Sequence, residues 1–408
     1  MPKAGPFASA ENIPIEPDLD HASEGRVTIA RSHSIAIIGA GVSGLGIGWR
    51  LAQAGCHVCV FDRGQAGRGA SWAAAGMLAA NAEAEPGEEA LLGLTLASQK
   101  MWPGFTRELE QASGQDIGYL ESGTLVAATN RDELEQLRFT FEYQRGLGLA
   151  VEWLNGVEAR RREPYLRSGI PGAIWAPTDH QVDNRKLAEA LKAAYLAAGG
   201  GLYEGCAVTG LDLTGGRVTG VQTGDKTHKA DSVVLAAGSW SRDLPGLPPL
   251  ALPPVRPVKG QMLSLRMNQA DPVVKGVLWA PKIYLVPRAD GRLIVGATVE
   301  EKGYDPHLTA GGVLALLDAA WRAIPAIEEL PIEEMWVGYR PTSRDDAPIL
   351  GTSGVDGLLV ATGHHRNGIL LAPITAEAIA REILTGQPLP EATPFTLERF
   401  RQALPAAG

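Results

Sequence analysis

Cysteine is scarce in this chain, with three residues (Cys56, Cys59 and Cys206) among 408. That excludes a disulfide framework and suits a reducing, cytoplasmic setting. Positive charge is also short: 37 Lys and Arg face 46 Asp and Glu, a formal net charge of −9. Such a balance argues against nucleic acid or an anionic membrane surface as the main partner. No apolar run reaches the roughly 18 residues that a membrane span needs, so no membrane insertion is expected. Residues 1–32 place prolines and acids where a signal peptide has its apolar stretch, and read as a disordered leader. Metal-ligand clusters are missing too: His364-His365 has no Asp, Glu or Cys company, so no metal is expected. Cys56 and Cys59 have C-x-x-C spacing, but residues three apart on a strand point to opposite faces, which leaves them a buried structural role.

Glycine, by contrast, is plentiful at 49 residues, and it concentrates in one place. Residues 34–39 (SIAIIG) form an apolar run suited to a buried parallel strand. Leu45, Trp49 and Ala52 then recur at helical spacing, with Gly55 as a C-cap. A second apolar run, 57–61, ends at Asp62, completing a βαβ unit. Gly39, Gly41 and Gly44 fit G-x-G-x-x-G between strand and helix, the context in which the pattern binds a dinucleotide. The first glycine permits the tight turn, the second admits a pyrophosphate to the backbone, and the third lets helix and strand pack closely. Asp62 stands where a carboxylate accepts hydrogen bonds from an adenosine ribose. Glycines inside a helix cost roughly 1 kcal/mol each relative to alanine, so a ligand or close packing must offset Gly46 and Gly48. The pattern does not say which dinucleotide.

Further on, 184–198 reads as a helix, 202–222 as a hairpin turning at Gly215-Gly216, and 232–237 as a very apolar strand. Short β-like runs between 257 and 298 suggest an antiparallel sheet on the substrate side. Residues 357–386 read as strand, glycine-bearing loop and a helix from about 368 to 384. The expected fold is α/β. A discontinuous Rossmann-type domain takes 33–112, 180–243 and 336–390. A substrate domain on a largely antiparallel sheet takes 113–179 and 244–335, and 391–408 is a C-terminal tail.

Three segments select the dinucleotide. "GRGASWAAAGMLAA" (67–80), "VVLAAGSWS" (233–241) and the pair "GYRPTSRDDAPILG" (338–351) and "ATGHHRNGILLAPITAEAIA" (361–380) resemble the D-amino-acid-oxidase-like family of FAD-dependent amine oxidases. Within it they are most similar to the glycine oxidases of thiamine biosynthesis, over about residues 33–390. The resemblance implies FAD, held by Gly39, Gly41, Val42, Ser43, Gly44, Asp62 and Arg63 at the first turn. It adds Ala70, Ser71, Ala75, Gly76 and Met77, then Val208, Ala237, Gly238 and Trp240. Gly338, His364, Arg366, Asn367, Gly368, Ile369 and Leu370 complete the set. Backbone N–H groups of 364–370 would face the flavin edge where negative charge collects on reduction. With no cysteine after 206, the usual covalent anchor of related sarcosine oxidases is missing, and FAD is expected to bind noncovalently.

The implied chemistry is hydride transfer from a small amino acid or amine to flavin, with O2 reduced to peroxide. Arg340 and Arg366 occupy the positions of the family's substrate-binding arginines, suited to a carboxylate by the planar guanidinium fork. Tyr284 matches the active-site tyrosine. Lys282 stands where a histidine is often found, and Val299 where a methionine occurs, so both bear on substrate breadth. Two alternatives stay open at this point: a D-amino acid dehydrogenase passing electrons to quinone, and a noncatalytic flavin-binding subunit. The sequence does not decide between a monomer and a homo-oligomer.

Overall fold

The computed structural model describes residues 33–402. The leader expected over 1–32, and 403–408 at the end of the expected tail, lie outside the described residues.

Two sheets organise the chain. The first is six-stranded, in the order Ile349–Thr352, Leu358–Thr362, Ser232–Leu235, Ser34–Ile38, His57–Phe61, Gly201–Tyr203. All its neighbours pair parallel except the first two. Its strands are apolar on both faces because both faces are covered. On one side lie helices Val42–Gln53, Asn184–Ala197 and Ala372–Thr385, which bury Leu45, Trp49, Leu191, Tyr195 and Ile379 in one cluster. On the other side a three-stranded meander contributes Leu211, Val218 and Val221 to a second cluster with Ile38, Phe61 and Val233.

The second sheet is eight-stranded. Its order is Ile332–Thr342, Arg256–Arg266, Arg292–Gly296, Ile283–Pro287, Val277–Ala280, Thr124–Ala128, Gly172–Ala176, Glu152–Asn155. It is antiparallel except where Val277–Ala280 runs parallel to Thr124–Ala128. Period-2 alternation sorts its side chains. Leu263, Ile283, Leu285, Leu293 and Val295 pack under helix Ala310–Ala323. Met262, Tyr284, Val286 and Ile294 face the other way, onto Ala73 and Ala75 of the first unit.

The α/β reading therefore holds, with corrections at element ends. Residues 202–203 do not begin the hairpin. They belong to the edge strand of the parallel sheet, and the hairpin is confined to Gly210–Thr214 and Arg217–Thr223. Its turn residues Gly215 and Gly216 take φ of 59° and 83°, the I′ geometry that matches strand twist. The last long helix begins at Ala372 rather than 368, because His365–Asn367 first makes a 3₁₀ turn. The boundary expected at 336 falls inside Ile332–Thr342, a strand hydrogen-bonded along its length to Arg256–Arg266. Residues 336–342 are thus an edge of the large sheet.

Candidate active site

A cavity of about 1400 Å³ is lined by both sheets, from the glycine turn at one end to Tyr284 and Arg340 at the other. The first end is built of backbone. Gly39 takes φ +106°, and a Cβ there would lie 2.4 Å from the Ala236 carbonyl oxygen. A Cβ on Gly44 would lie 1.9 Å from the Gly39 oxygen. Both positions are glycine because the fold leaves no room. Gly41 differs: a Cβ there would meet only the Ser71 hydroxyl, at 3.1 Å, and its φ is ordinary. Its bareness is not demanded by protein atoms and leaves the cavity wall open to a ligand. No side chain of the Gly41 N-cap closes the helix start, although Val42 donates its N–H to Ser71 Oγ at 3.0 Å. A helix start of this kind suits phosphate.

Asp62 braces the turn. Its Oδ2 accepts the Ala40 N–H and its Oδ1 the Gly64 N–H, each at 2.8 Å. Beside it the Arg63 guanidinium lies 4.1 Å over the Trp240 ring, which stacks on Tyr304. The segment 70–77 forms the cavity's middle. Asn184 Nδ2 donates to the Ser71 and Trp72 carbonyls, and Arg288 donates to the Ala75 carbonyl at 2.6 Å. Gly76, at φ +74°, sits so close to Val182 that a Cβ would be 2.0 Å from its carbonyl oxygen. Gly338 on the edge strand leaves room for Ala73 in the same way.

At the far end, Tyr284 packs its ring over Gly296, where a Cβ would fall 2.6 Å from the phenol oxygen. Burial pushes the Tyr284 phenol up, and Arg340 nearby pulls it back. Arg340 lies over Gly260 and donates from Nη1 to the Thr298 carbonyl at 3.1 Å. It lines the cavity, and among the described residues no carboxylate pairs with it.

Arg366, expected as a second substrate-binding arginine, also lines the cavity but is arranged otherwise. Its Nε donates to Glu83 at 2.8 Å and one Nη to Glu88 at 2.5 Å. The fork is already committed to two carboxylates. Burial pushes the Glu83 carboxyl up to about 7 against the pull of Arg366, and the nearby Asp179 charge adds to the rise.

Of the residues expected to hold FAD, Gly39, Gly41, Val42, Ser43, Asp62, Arg63, Ala70, Ser71, Ala75, Gly76, Met77, Val208, Ala237, Gly238, Trp240, Gly338, His364, Arg366, Gly368 and Ile369 line the cavity. Gly44, Asn367 and Leu370 do not; they support it from behind. The Leu370 carbonyl, for example, accepts Ser98 Oγ at 2.7 Å and Trp102 Nε1 at 2.9 Å, tying the loop to helix Glu89–Ser113. Lys282 and Val299 stand at the mouth, Val299 with 72% of its surface exposed.

Sequence reading missed three residues. Glu83 belongs to the wall. His365 lines it at φ +47°, with Nδ1 2.9 Å from Thr342 Oγ1, and burial pushes its imidazole down to about 4. Arg288 is fully enclosed, pairs with Gln181 and Asn184, and ties the large sheet to the 70–77 segment. An arginine closing the apolar run "IYLVPR" was the one signal available, since charge is rarely buried unless paired.

A βαβ phosphate turn, a small-residue middle and an unpaired arginine on an antiparallel sheet define a dinucleotide-dependent redox enzyme. The chain belongs to the family described as FAD dependent oxidoreductase, whose model matches residues 34–382. It is 40% identical over 373 residues to the bifunctional protein ThiO/ThiG of Trichormus variabilis, covering 91% of this chain and 56% of that one. It thus spans little more than half the length of such bifunctional relatives. It is 37% identical to a glycine oxidase of Geobacillus kaustophilus, over 90% of this chain and 97% of that one. The crystal structure of glycine oxidase from Geobacillus kaustophilus matches with a TM-score of 0.83 at 35% identity, over 90% of this chain and 98% of that chain. Among the described residues, no helix is long and apolar enough to cross a membrane.

Proposed function

We propose that this chain oxidises glycine, and with it sarcosine and D-alanine, delivering electrons to O2 in the cytoplasm. Relatives named glycine oxidase match along nearly their whole length, and the relatives named ThiO/ThiG favour a role in thiamine synthesis. The observation that carries the reading is Arg340: a cavity-lining guanidinium that, among the described residues, has no carboxylate of its own, beside the half-buried Tyr284. Bound FAD would supply the chemistry, taking a hydride from the substrate α-carbon to leave the imine and passing two electrons to O2 as peroxide.

The residues of this chain do the rest. Arg340 offers two parallel N–H donors to a carboxylate. The Tyr284 hydroxyl stays protonated, because burial favours its neutral form, and donates to the same group. Fixing the carboxylate at two points orients the α-C–H, which is where proximity effects act. Arg366 belongs to the wall: it neutralises Glu83 and Glu88 and so keeps negative charge from repelling the substrate carboxylate.

The test is anaerobic mixing of holoenzyme with glycine, sarcosine, D-alanine and D-proline, followed by air. Bleaching by glycine or sarcosine and stoichiometric peroxide on reoxidation are expected. Bleaching without peroxide, with electrons passing to a quinone, would favour a dehydrogenase. No bleaching by any amine would favour a noncatalytic subunit. Acid precipitation should release intact FAD into the supernatant.

A further inference from the structure

The turn between Val277–Ala280 and Ile283–Pro287 consists of Pro281 and Lys282, since Ala280 pairs directly with Ile283. Lys282 takes φ +65°. With proline before it, this is the third position of a type II turn, where glycine fits freely and a side chain is strained. Strain at a non-glycine residue clusters where the side chain is used. The Lys282 side chain lines the cavity and is exposed, and among the described residues no carboxylate pairs with it.

Two other charged residues of the cavity lining are engaged. Arg322 pairs with Asp318 at 3.0 Å. Glu133 accepts the N–H and O–H of Thr129 at 2.7 and 2.6 Å. Two residues along from Lys282, Tyr284 faces the part of the cavity that Arg340 lines, near enough to feel the Arg340 charge. Among the described residues, Arg340 and Lys282 line the cavity without a carboxylate partner, as do Arg63 and Arg68. Those two, however, lie over the Trp240 and Trp72 rings, whereas Arg340 and Lys282 flank Tyr284.

We propose that Lys282 receives a second anionic group, so that the site takes N-substituted glycines carrying a carboxylate on the nitrogen substituent. The inference rests on the glycine-oxidising reading above. Arg340 holds the carboxylate next to the reacting carbon, and the distal carboxylate extends to the Lys282 ammonium. For iminodiacetate, hydride leaves one α-CH2 for the flavin and the N–H proton goes to solvent, giving an imine. Water adds across C=N and the C–N bond breaks. The sum is iminodiacetate + O2 + H2O → glycine + glyoxylate + H2O2.

The test compares iminodiacetate with sarcosine, a secondary amine without the second charge, in the wild-type holoenzyme and in Lys282→Met, Lys282→Gly and Lys282→Arg. Glycine relieves the turn strain at φ +65°, so Lys282→Gly separates loss of the charge from any disturbance of the turn by methionine. In Met and Gly variants the kcat/KM ratio of iminodiacetate to sarcosine should fall about 5- to 30-fold, as for a partly exposed charge pair. Lys282→Arg should hold it within about twofold, and added salt should shrink the wild-type ratio. Calorimetric titration with oxydiacetate and methoxyacetate, ether isosteres with no amine to oxidise, should show the same preference and the same loss. Sarcosine turnover with an unchanged ratio in both the Met and Gly variants overturns the proposal, as does sarcosine turnover without iminodiacetate turnover. If neither glycine nor sarcosine bleaches the flavin, the parent reading has failed, and the ether titration still decides the role of Lys282.

Discussion

The two ends of the cavity are made of different material. At the glycine turn the wall is main chain, and the critical atoms belong to Gly39, Gly41, Gly44 and the carbonyl of Ala236. At the Arg340 end the wall is side chains, each carried by a different strand of the large sheet and seated over a glycine on the neighbouring strand: Tyr284 over Gly296 and Arg340 over Gly260. At Gly39 and Gly44 the backbone leaves no room for an added atom, whereas a side-chain site can lose its function and keep its fold. The difference separates effects on cofactor from effects on substrate.

The largest effects should come from the backbone end, and they should split within it. Gly44→Ala forces a Cβ to within 1.9 Å of the Gly39 oxygen, and relief by backbone shifts should cost about 3 kcal/mol or more. Gly41→Ala meets only a hydroxyl at 3.1 Å, so apoprotein stability should change by less than about 1 kcal/mol. Both should lose FAD, the first through the fold and the second through the pyrophosphate's space. Flavin content and apoprotein Tm, measured together, check the split. A Gly41→Ala protein with a full complement of FAD would break it.

At the side-chain end, Arg340→Ala should lower kcat/KM for glycine by about 30- to 4,000-fold, the roughly 2–5 kcal/mol lost when one partner of a desolvated charge pair is truncated. FAD content should stay near wild type, since Arg340 binds neither helix start nor turn. Arg340→Lys should recover only part, because an ammonium keeps the charge without the fork. Wild-type turnover at low glycine in Arg340→Ala would remove the main support for the proposed function.

The same contrast explains what could be read from the sequence. The backbone end is local: strand, turn and helix fall within residues 34–62, so glycine spacing and apolar periodicity reveal it directly. The side-chain end gathers residues from 83, 284, 298, 340 and 365, brought together only by sheet pairing and a long crossover. Tyr284 and Arg340 were found through resemblance. Arg366 matched the same pattern, yet its partners Glu83 and Glu88 lie 283 and 278 positions upstream, beyond the reach of any local rule. The boundary expected at 336 falls within a strand for a related reason. Glycine-rich chemistry near 338 marks cofactor contact, while the hydrogen bonds of that strand belong to the other sheet.

The smallest expected effect sharpens the account of Arg366 and Glu83. Burial holds the Glu83 carboxyl at about 7, above its ordinary value of 4.5. Between those values the native chain binds a proton that the unfolded chain has released, so this group's contribution to stability falls as pH rises from 4.5 to about 7. His364 and His365 act in the opposite direction: burial holds both near 4, so their contribution is lost as pH falls from 6.5 to 4. Glu83→Gln removes the first effect, keeps an acceptor for Arg366 and leaves the Glu88 pair in place. The stability of the variant relative to wild type should therefore rise by about 1–3 kcal/mol between pH 5 and pH 7. Thermal unfolding of both proteins at the two pH values measures this difference of differences. A constant offset would mean that Glu83 is ionised throughout, held so by Arg366, and that the substrate end carries a fixed ion pair rather than a titrating one.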